Sequence, residues 1–430
     1  MARLNISRTS GSIGKSGSSG KPLWLLLQLI LSLLSGKPPE DTPPPSPPPP
    51  DTPPPPSGTN LILLPNNALG AKCLDGSAPG YYFRAGRGAG RLNWHIFLPP
   101  GAWCFSTGEC AERAGTYLGS TRAYPADGTT KSKAISPPFG GILSGDDSAN
   151  PAFYNWNLVR VIYCDGGGFL GTRGRVASNG DVVYMDGWNI IQAILKDLQA
   201  NRGIRSASRL LISGSSAGGQ AVVHLCDTIA AAVPSADARC VSDSGFFVDA
   251  EDRSGSFYFR SLAQKLVALH QPNYAECAQA YSSTYRWRCF FPQYTVSRTV
   301  STPLFIFNTL FDNIATTIGK QLPSDTAYVR QCLGEILNRS GNITNIVRTR
   351  SWGSLQWSTD YCTRAEREAV FESASAVYKE AIAFADTKRS ARVFLPASLV
   401  HCAIFGASNW NKGMIGGVSF NEALQDWMGA

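Results

Sequence analysis

The sequence predicts one large α/β domain, a doubly wound, mostly parallel sheet with insertions. Short apolar runs at 92–98, 157–163, 209–213, 238–242, 303–308 and 391–395 read as buried strands. Helical patterns fall between them, and strand–helix alternation is the signature of a doubly wound sheet. The third observation is a pentapeptide, Gly214-Ser215-Ser216-Ala217-Gly218, set between a strand and a helix.

Three parts follow one another along the chain. Residues 1–36 form a leader in which Arg3, Arg8, Lys15 and Lys21 precede an apolar run from Leu23 to Leu34. About a dozen apolar residues suit a secretory signal and fall short of the roughly 20 needed to span a bilayer. An uncleaved signal anchor is the alternative. Residues 37–57 are nearly continuous proline broken by Asp, Thr and Ser, a composition that favours an extended polyproline II rod. Such a rod is a passive spacer or a wall-anchoring stalk. Residues 58–430 carry the strand and helix patterns, with no second linker and no internal repeat. Within them 187–198 and 364–388 read as helices, the second with Val370, Val377, Ala381 and Phe384 on one face.

The pentapeptide has a physical meaning only in its setting. Leu210-Leu211-Ile212 precedes it and the small residues Gly219-Gln220-Ala221 follow. Strand, G-x-S-x-G, helix is the context of a nucleophile elbow, a sharp turn that lifts a serine hydroxyl above the sheet edge. Ser216 is therefore the candidate nucleophile. It needs a base to take its proton and a third group to orient that base. Only four histidines exist, His95, His224, His270 and His401. In α/β-hydrolases the order is serine, acid, histidine, which selects His401, just after the apolar run Val393-Phe394-Leu395. His95 inside a strand and His224 inside the elbow helix read as packed imidazoles, and His270 as a loop residue. Asp312 leaves the strand that begins after Pro303, where the orienting carboxylate belongs; Asp243, Asp249, Glu251 and Asp252 read as capping or surface charges.

Acyl transfer also needs backbone N–H groups aimed at the developing oxyanion. One belongs to Ala217, directly after the nucleophile. The others belong to the loop Leu98-Pro99-Pro100-Gly101-Ala102-Trp103-Cys104. Prolines carry no N–H, so Ala102 and Trp103 are the expected donors.

These residues resemble the pectin acetylesterase family of plants, which includes the animal Notum carboxylesterases. The likeness runs from about Asn93 to about Cys402. It rests on Gly101-Ala102-Trp103-Cys104, Phe139-Gly140-Gly141-Ile142-Leu143-Ser144, Asn150-Pro151-Ala152-Phe153-Tyr154-Asn155-Trp156-Asn157 and Tyr163-Cys164-Asp165-Gly166. Ser213-Gly214-Ser215-Ser216-Ala217-Gly218-Gly219, Asp243-Ser244-Gly245-Phe246-Phe247-Val248-Asp249 and Cys289-Phe290-Phe291-Pro292-Gln293 continue it in order. The resemblance implies an α/β-hydrolase-like fold, the catalytic positions Ser216, Asp312 and His401, and an acetylated wall polysaccharide as substrate. The sequence departs from the family at Pro99, Pro100 and Ala102, at Asn313-Ile314-Ala315 after the acid, and at Ser398, where the family is expected to have cysteine. A lipid-ester carboxylesterase of the Notum type and a catalytically inactive wall-binding relative are the rival readings.

Eleven cysteines leave at least one thiol unpaired in an oxidising compartment. Short loops favour Cys104 with Cys110 and Cys277 with Cys289. Asn338-Arg339-Ser340 and Asn342-Ile343-Thr344 are sequons, usable only on the secretory route. The absence of a C-x-x-C pair or clustered histidines argues against a metal. Gly166-Gly167-Gly168 follows a strand but lacks the helix start of a dinucleotide site, so no cofactor is expected and a loop at the rim of the acyl site is preferred. Formal net charge is +8, and a modestly cationic surface suits polyanions. Cations without interleaved aromatic platforms give no indication of nucleic acid. Membrane contact is expected only if the leader is retained.

Overall fold

The computed structural model describes residues 58–65, 68–122, 124, 139–178, 180–274, 276–322, 363–387 and 390–429. The leader, the proline-rich segment, both sequons, Cys332 and Cys362 lie outside the described residues. Among those described, no helix is long and apolar enough to cross a membrane.

An eight-stranded sheet organises the domain. It comprises β1 (Thr59–Leu63), β2 (Gly80–Arg84), β3 (Asn93–Leu98), β4 (Asn157–Val161), β7 (Arg209–Ser215), β8 (Asp237–Asp243), β9 (Leu304–Phe307) and β10 (Arg392–Phe394). Their spatial order is β1-β2-β4-β3-β7-β8-β9-β10. From β4 to β10 every pairing is parallel, and only the β1–β2 and β2–β4 pairings are antiparallel. The expected strands are therefore present, within a few residues of their expected ends. A separate antiparallel hairpin, β5 (Gly174–Ser178) with β6 (Asp181–Met185), is an insertion the sequence did not announce.

Apolar side chains on both faces explain why the central strands are continuous hydrophobic runs. Leu210 and Ile212 of β7 join a core with Ile190 and Ile194 of α2 (Gly187–Asp197) and Val222 and Leu225 of α3 (Ala217–Ala231). Leu211, between them, points the other way. It packs with Phe97, Val241 and Phe307 beneath Phe420, Leu424 and Met428 of α7 (Phe420–Met428). Period-2 alternation thus feeds two cores from one strand. The long helix α6 (Arg364–Thr387) buries Val370, Val377, Ala381 and Phe384, the face its sequence pattern marked.

Register sets the position of the site. Leu98 pairs with Gly214, Ser215 with Asp243, Asp243 with Phe307 and Phe307 with Phe394. The carboxyl ends of these strands stand level, so the loops that follow them emerge from one edge, the place where open α/β sheets hold ligands.

Candidate active site

Ser216 sits between β7 and α3 with φ 55 and ψ −121. A non-glycine residue there is strained, and such strain persists only where surroundings enforce it. The enforcement is steric. A Cβ at Gly218 would collide with the carbonyl of Leu98, and one at Gly214 with that of Gly218. The Ser216 N–H donates to the Asp243 carbonyl at 2.8 Å, and the Ser216 carbonyl accepts from Gln220 N–H at 2.8 Å.

Asp312 and His401 are joined. The ring Nδ1–H donates to Asp312 Oδ2 at 2.7 Å, with both side chains almost fully enclosed. The other oxygen, Oδ1, accepts from Ile314 and Ala315 N–H at 3.0 and 2.9 Å, capping α5 (Asn313–Gly319). One carboxylate therefore starts a helix and holds an imidazole. The two loops run side by side: Leu310, Phe311 and Asn313 donate main-chain N–H bonds to the carbonyls of Pro396, Ser398 and Leu399, and Thr309 Oγ1 donates to that of Val400.

The four histidines separate by environment. Burial pushes His95 down to about 3, and His224 and His270 down to about 4. Burial acts the same way on His401, but the Asp312 charge and hydrogen bond, with the Asp243 charge behind them, outweigh it and raise this imidazole above its ordinary value. His95 Nε2 lies 2.6 Å from Ser213 Oγ inside the sheet, and His224 packs against the Tyr274 ring. His270 corrects the loop expectation: it is the last residue of α4 (Tyr258–His270) and is wholly buried.

No hydrogen bond joins Ser216 to His401 among the described residues. Ser216 acts weakly on the thiol of Cys402, next in chain to His401. Cys402 is the free cysteine among the described residues. Desolvation, then the charges of Asp243 and Asp312, keep this thiol protonated well above its ordinary value, against the smaller effect of Ser216. Hydroxyl–imidazole contacts in unliganded hydrolases are commonly loose and tighten when substrate binds.

The expected oxyanion loop is braced by residues that sequence reasoning missed. Its carbonyls are turned inward: Arg113 of α1 (Thr107–Ala114) donates to Gly101 O, Tyr163 OH to Ala102 O, and His270 Nε2 to Cys104 O at 2.9 Å. The N–H groups of Ala102, Trp103 and Ala217 accordingly have no acceptor among the described residues. Ala102 holds φ 53, in the left-handed region that favours glycine. The Trp103 ring packs edge-on against Phe247 and Phe290, with centroids 5.2 and 5.1 Å away. A Cβ at Gly168 would fall 2.9 Å from Trp103 Nε1, so the glycine-rich segment underlies this loop. Nothing in the sequence around Arg113 announced its part.

Four disulfides are present among the described residues: Cys73–Cys164, Cys104–Cys110, Cys226–Cys240 and Cys277–Cys289. Both expected short bridges are among them. The sulfurs of Cys104 and Cys110 lie with His270 in a group of metal-ligand type, but they are bonded to each other and offer no thiolate.

The pectinacetylesterase family profile matches residues 55–430. The chain belongs to this family. It is 32% identical to pectin acetylesterase 11 of Arabidopsis thaliana over 366 residues, 84% of each chain. Pectin acetylesterase 7 of the same plant is 40% identical over 249 residues, 57% of this chain and 60% of the relative. The palmitoleoyl-protein carboxylesterase NOTUM of Homo sapiens is 30% identical over 271 residues, 57% of this chain and 50% of the relative. Apart from the first, these alignments span between half and 60% of the relatives' lengths. Family and sheet agree on an α/β-hydrolase-like fold.

Proposed function

We propose that the protein is a secreted serine carboxylesterase that removes acetyl groups from a cell-wall polysaccharide, probed first with pectin. Family membership supports the coarser statement, a carboxylic ester hydrolase acting on acetyl esters. The single observation that carries the mechanism is the enclosed Asp312–His401 pair, at the same sheet edge as Ser216 on its strained turn.

In this reading Ser216 Oγ attacks the acetyl carbonyl while its proton passes to His401 Nε2. Asp312 keeps the Nδ1 proton in place and stabilises the imidazolium. The Ala217, Ala102 and Trp103 N–H groups face the oxygen that becomes negative. His401 then protonates the leaving sugar oxygen, and water discharges the acetyl-enzyme by the reverse transfers.

The test is Ser216→Ala assayed on a small acetyl ester, with circular dichroism to check folding. Loss of hydrolysis in a folded variant is expected, and unchanged activity would end the assignment. Acetate release from acetylated pectin, compared with acetylated xylan and with long-chain acyl esters, decides the substrate. A wild-type protein that ignores a serine-directed fluorophosphonate would favour the inactive wall-binding reading.

A further inference from the structure

Asp243 ends strand β8 and is wholly buried, which corrects its reading as a capping or surface charge. Its main-chain carbonyl accepts from the Ser216 N–H at 2.8 Å. Its carboxylate accepts from Ser215 Oγ at 2.6 Å through Oδ2 and from Ser244 Oγ at 3.2 Å through Oδ1. The same two oxygens accept from Ala403 N–H (Oδ1) and Ile404 N–H (Oδ2), each at 3.3 Å. Ser244 Oγ in turn accepts from Cys402 N–H at 2.9 Å. Three consecutive N–H groups directly after His401 are thus held by two neighbouring residues, and one of these also holds the nucleophile's turn. Ser216, Ser244 and Cys402 all have positive φ, at 55, 50 and 63, so the tether lies in strained backbone on both sides.

We propose that Asp243 is a positioning residue of the hydrolytic site: it ties the turn bearing Ser216 to the loop bearing His401 and sets the register between hydroxyl and imidazole. This rests on the serine-esterase reading. The physical reason for a carboxylate is the donor count. Two hydroxyls and two main-chain N–H groups converge on it, and an ionised acid offers about four acceptor sites and no donor. An amide would turn its NH2 toward donors and leave a buried hydrogen bond unmade. Burial, opposed by the Ser215, Ile404 and Ala403 donors and by His401, leaves the carboxyl pushed up to about 6. In its charged form it acts, with Asp312, on both His401 and Cys402.

The experiment compares Asp243→Asn, Ser244→Ala and Ser216→Ala with wild type in pH–rate profiles on a small acetyl ester. For Asp243→Asn, kcat is expected to fall on the order of 10²-fold with KM nearly unchanged, because a misplacement of about 1 Å between reacting groups has that effect. The acid limb should also move to lower pH, since a negative charge that favours the imidazolium has been removed. Loss of packing alone would not move that limb. Ser244→Ala keeps the carboxylate while releasing Cys402 N–H and removing one hydroxyl donor from Asp243 Oδ1, so it should lower kcat without the limb shift that loss of the charge produces. It also supplies the decision if Asp243→Asn does not fold: wild-type kcat in Ser244→Ala would then overturn the proposal. Wild-type kcat and an unmoved limb in a folded Asp243→Asn would overturn it as well. If Ser216→Ala is inactive in that case, the esterase reading stands and only the role of Asp243 falls. If Ser216→Ala is fully active, it is the esterase reading that fails.

Discussion

Asp312 divides its carboxylate between His401, 2.7 Å from one oxygen, and the first turn of α5, whose N–H groups meet the other. Asp312→Asn keeps the helix cap but loses the charge and favours the wrong imidazole tautomer. In triads of this type that change lowers kcat on the order of 10⁴-fold, and the same drop is expected here in steady-state assays. Asp312→Ala should in addition lower stability by about 1 kcal/mol through the lost cap, read by denaturant unfolding.

In the proposed mechanism His401 must be neutral to accept the Ser216 proton. Its pKa is raised, by Asp312 and Asp243 against burial, so kcat/KM should fall as pH drops through that raised value and level off above it. The linked stability has the opposite sense. A raised histidine contributes stability that is complete below the unfolded pKa and is lost as pH rises through the folded one. Unfolding curves against pH, with His401→Gln as control, read that difference.

Ala102 is a direct test of the oxyanion loop. Its φ of 53 is tolerable for alanine and severe for a β-branched residue. Ala102→Val should cost about 2 kcal/mol or more and lower kcat, because the loop N–H groups must shift to relieve the strain. Ala102→Gly should stay within about 1 kcal/mol of wild type: relief of the left-handed strain offsets the lost methyl and the greater freedom of the unfolded chain. Thermal unfolding and turnover of the two variants separate these outcomes.

The Cys104–Cys110 bridge closes a short loop directly after Trp103. Replacing both cysteines by serine should cost about 2 kcal/mol in the chain-entropy account. It should also weaken turnover, since the bridge pins the end of this loop to Cys110, while the main-chain bonds of residue 104 to Gly166 and His270 remain. Equal activity in the double variant would show that Arg113, Tyr163, His270 and Gly166 hold the loop without the bridge.

Cys402 is buried, with its thiol held protonated. A thiolate is the reactive form, so a maleimide at pH 8 should leave Cys402 unlabelled in the native protein and modify it after unfolding, as read by peptide mapping. Fast labelling of the native protein at this position would contradict the packing around Ser216.

The sequence carried most of the fold, because buried parallel strands such as Leu210-Leu211-Ile212 are apolar without interruption. It missed β1 and β2, whose antiparallel pairing at the sheet edge leaves β1 half-exposed and weakly patterned. It missed the end of α4 at His270, although the left-handed Gln271 followed by Pro272 is a common helix stop. Chain order singled out Ser216, Asp312 and His401, of which the structure joins the last two, and the short bridge behind Trp103 was legible from spacing. The inward anchors Arg113 and Tyr163 and the tether at Asp243 were not. Their partners lie 12, 61 and up to 161 positions away, and only three-dimensional register brings them together.

In the proposed mechanism a single acid both opens a short helix and steadies the base, which couples the chemistry to the most local piece of secondary structure at the sheet's rim. Fraying of that one helix frees the carboxylate from its backbone donors and lets the imidazole swing. The enzyme would then fall silent on warming while its eight strands were still intact, and heat inactivation would run ahead of heat denaturation.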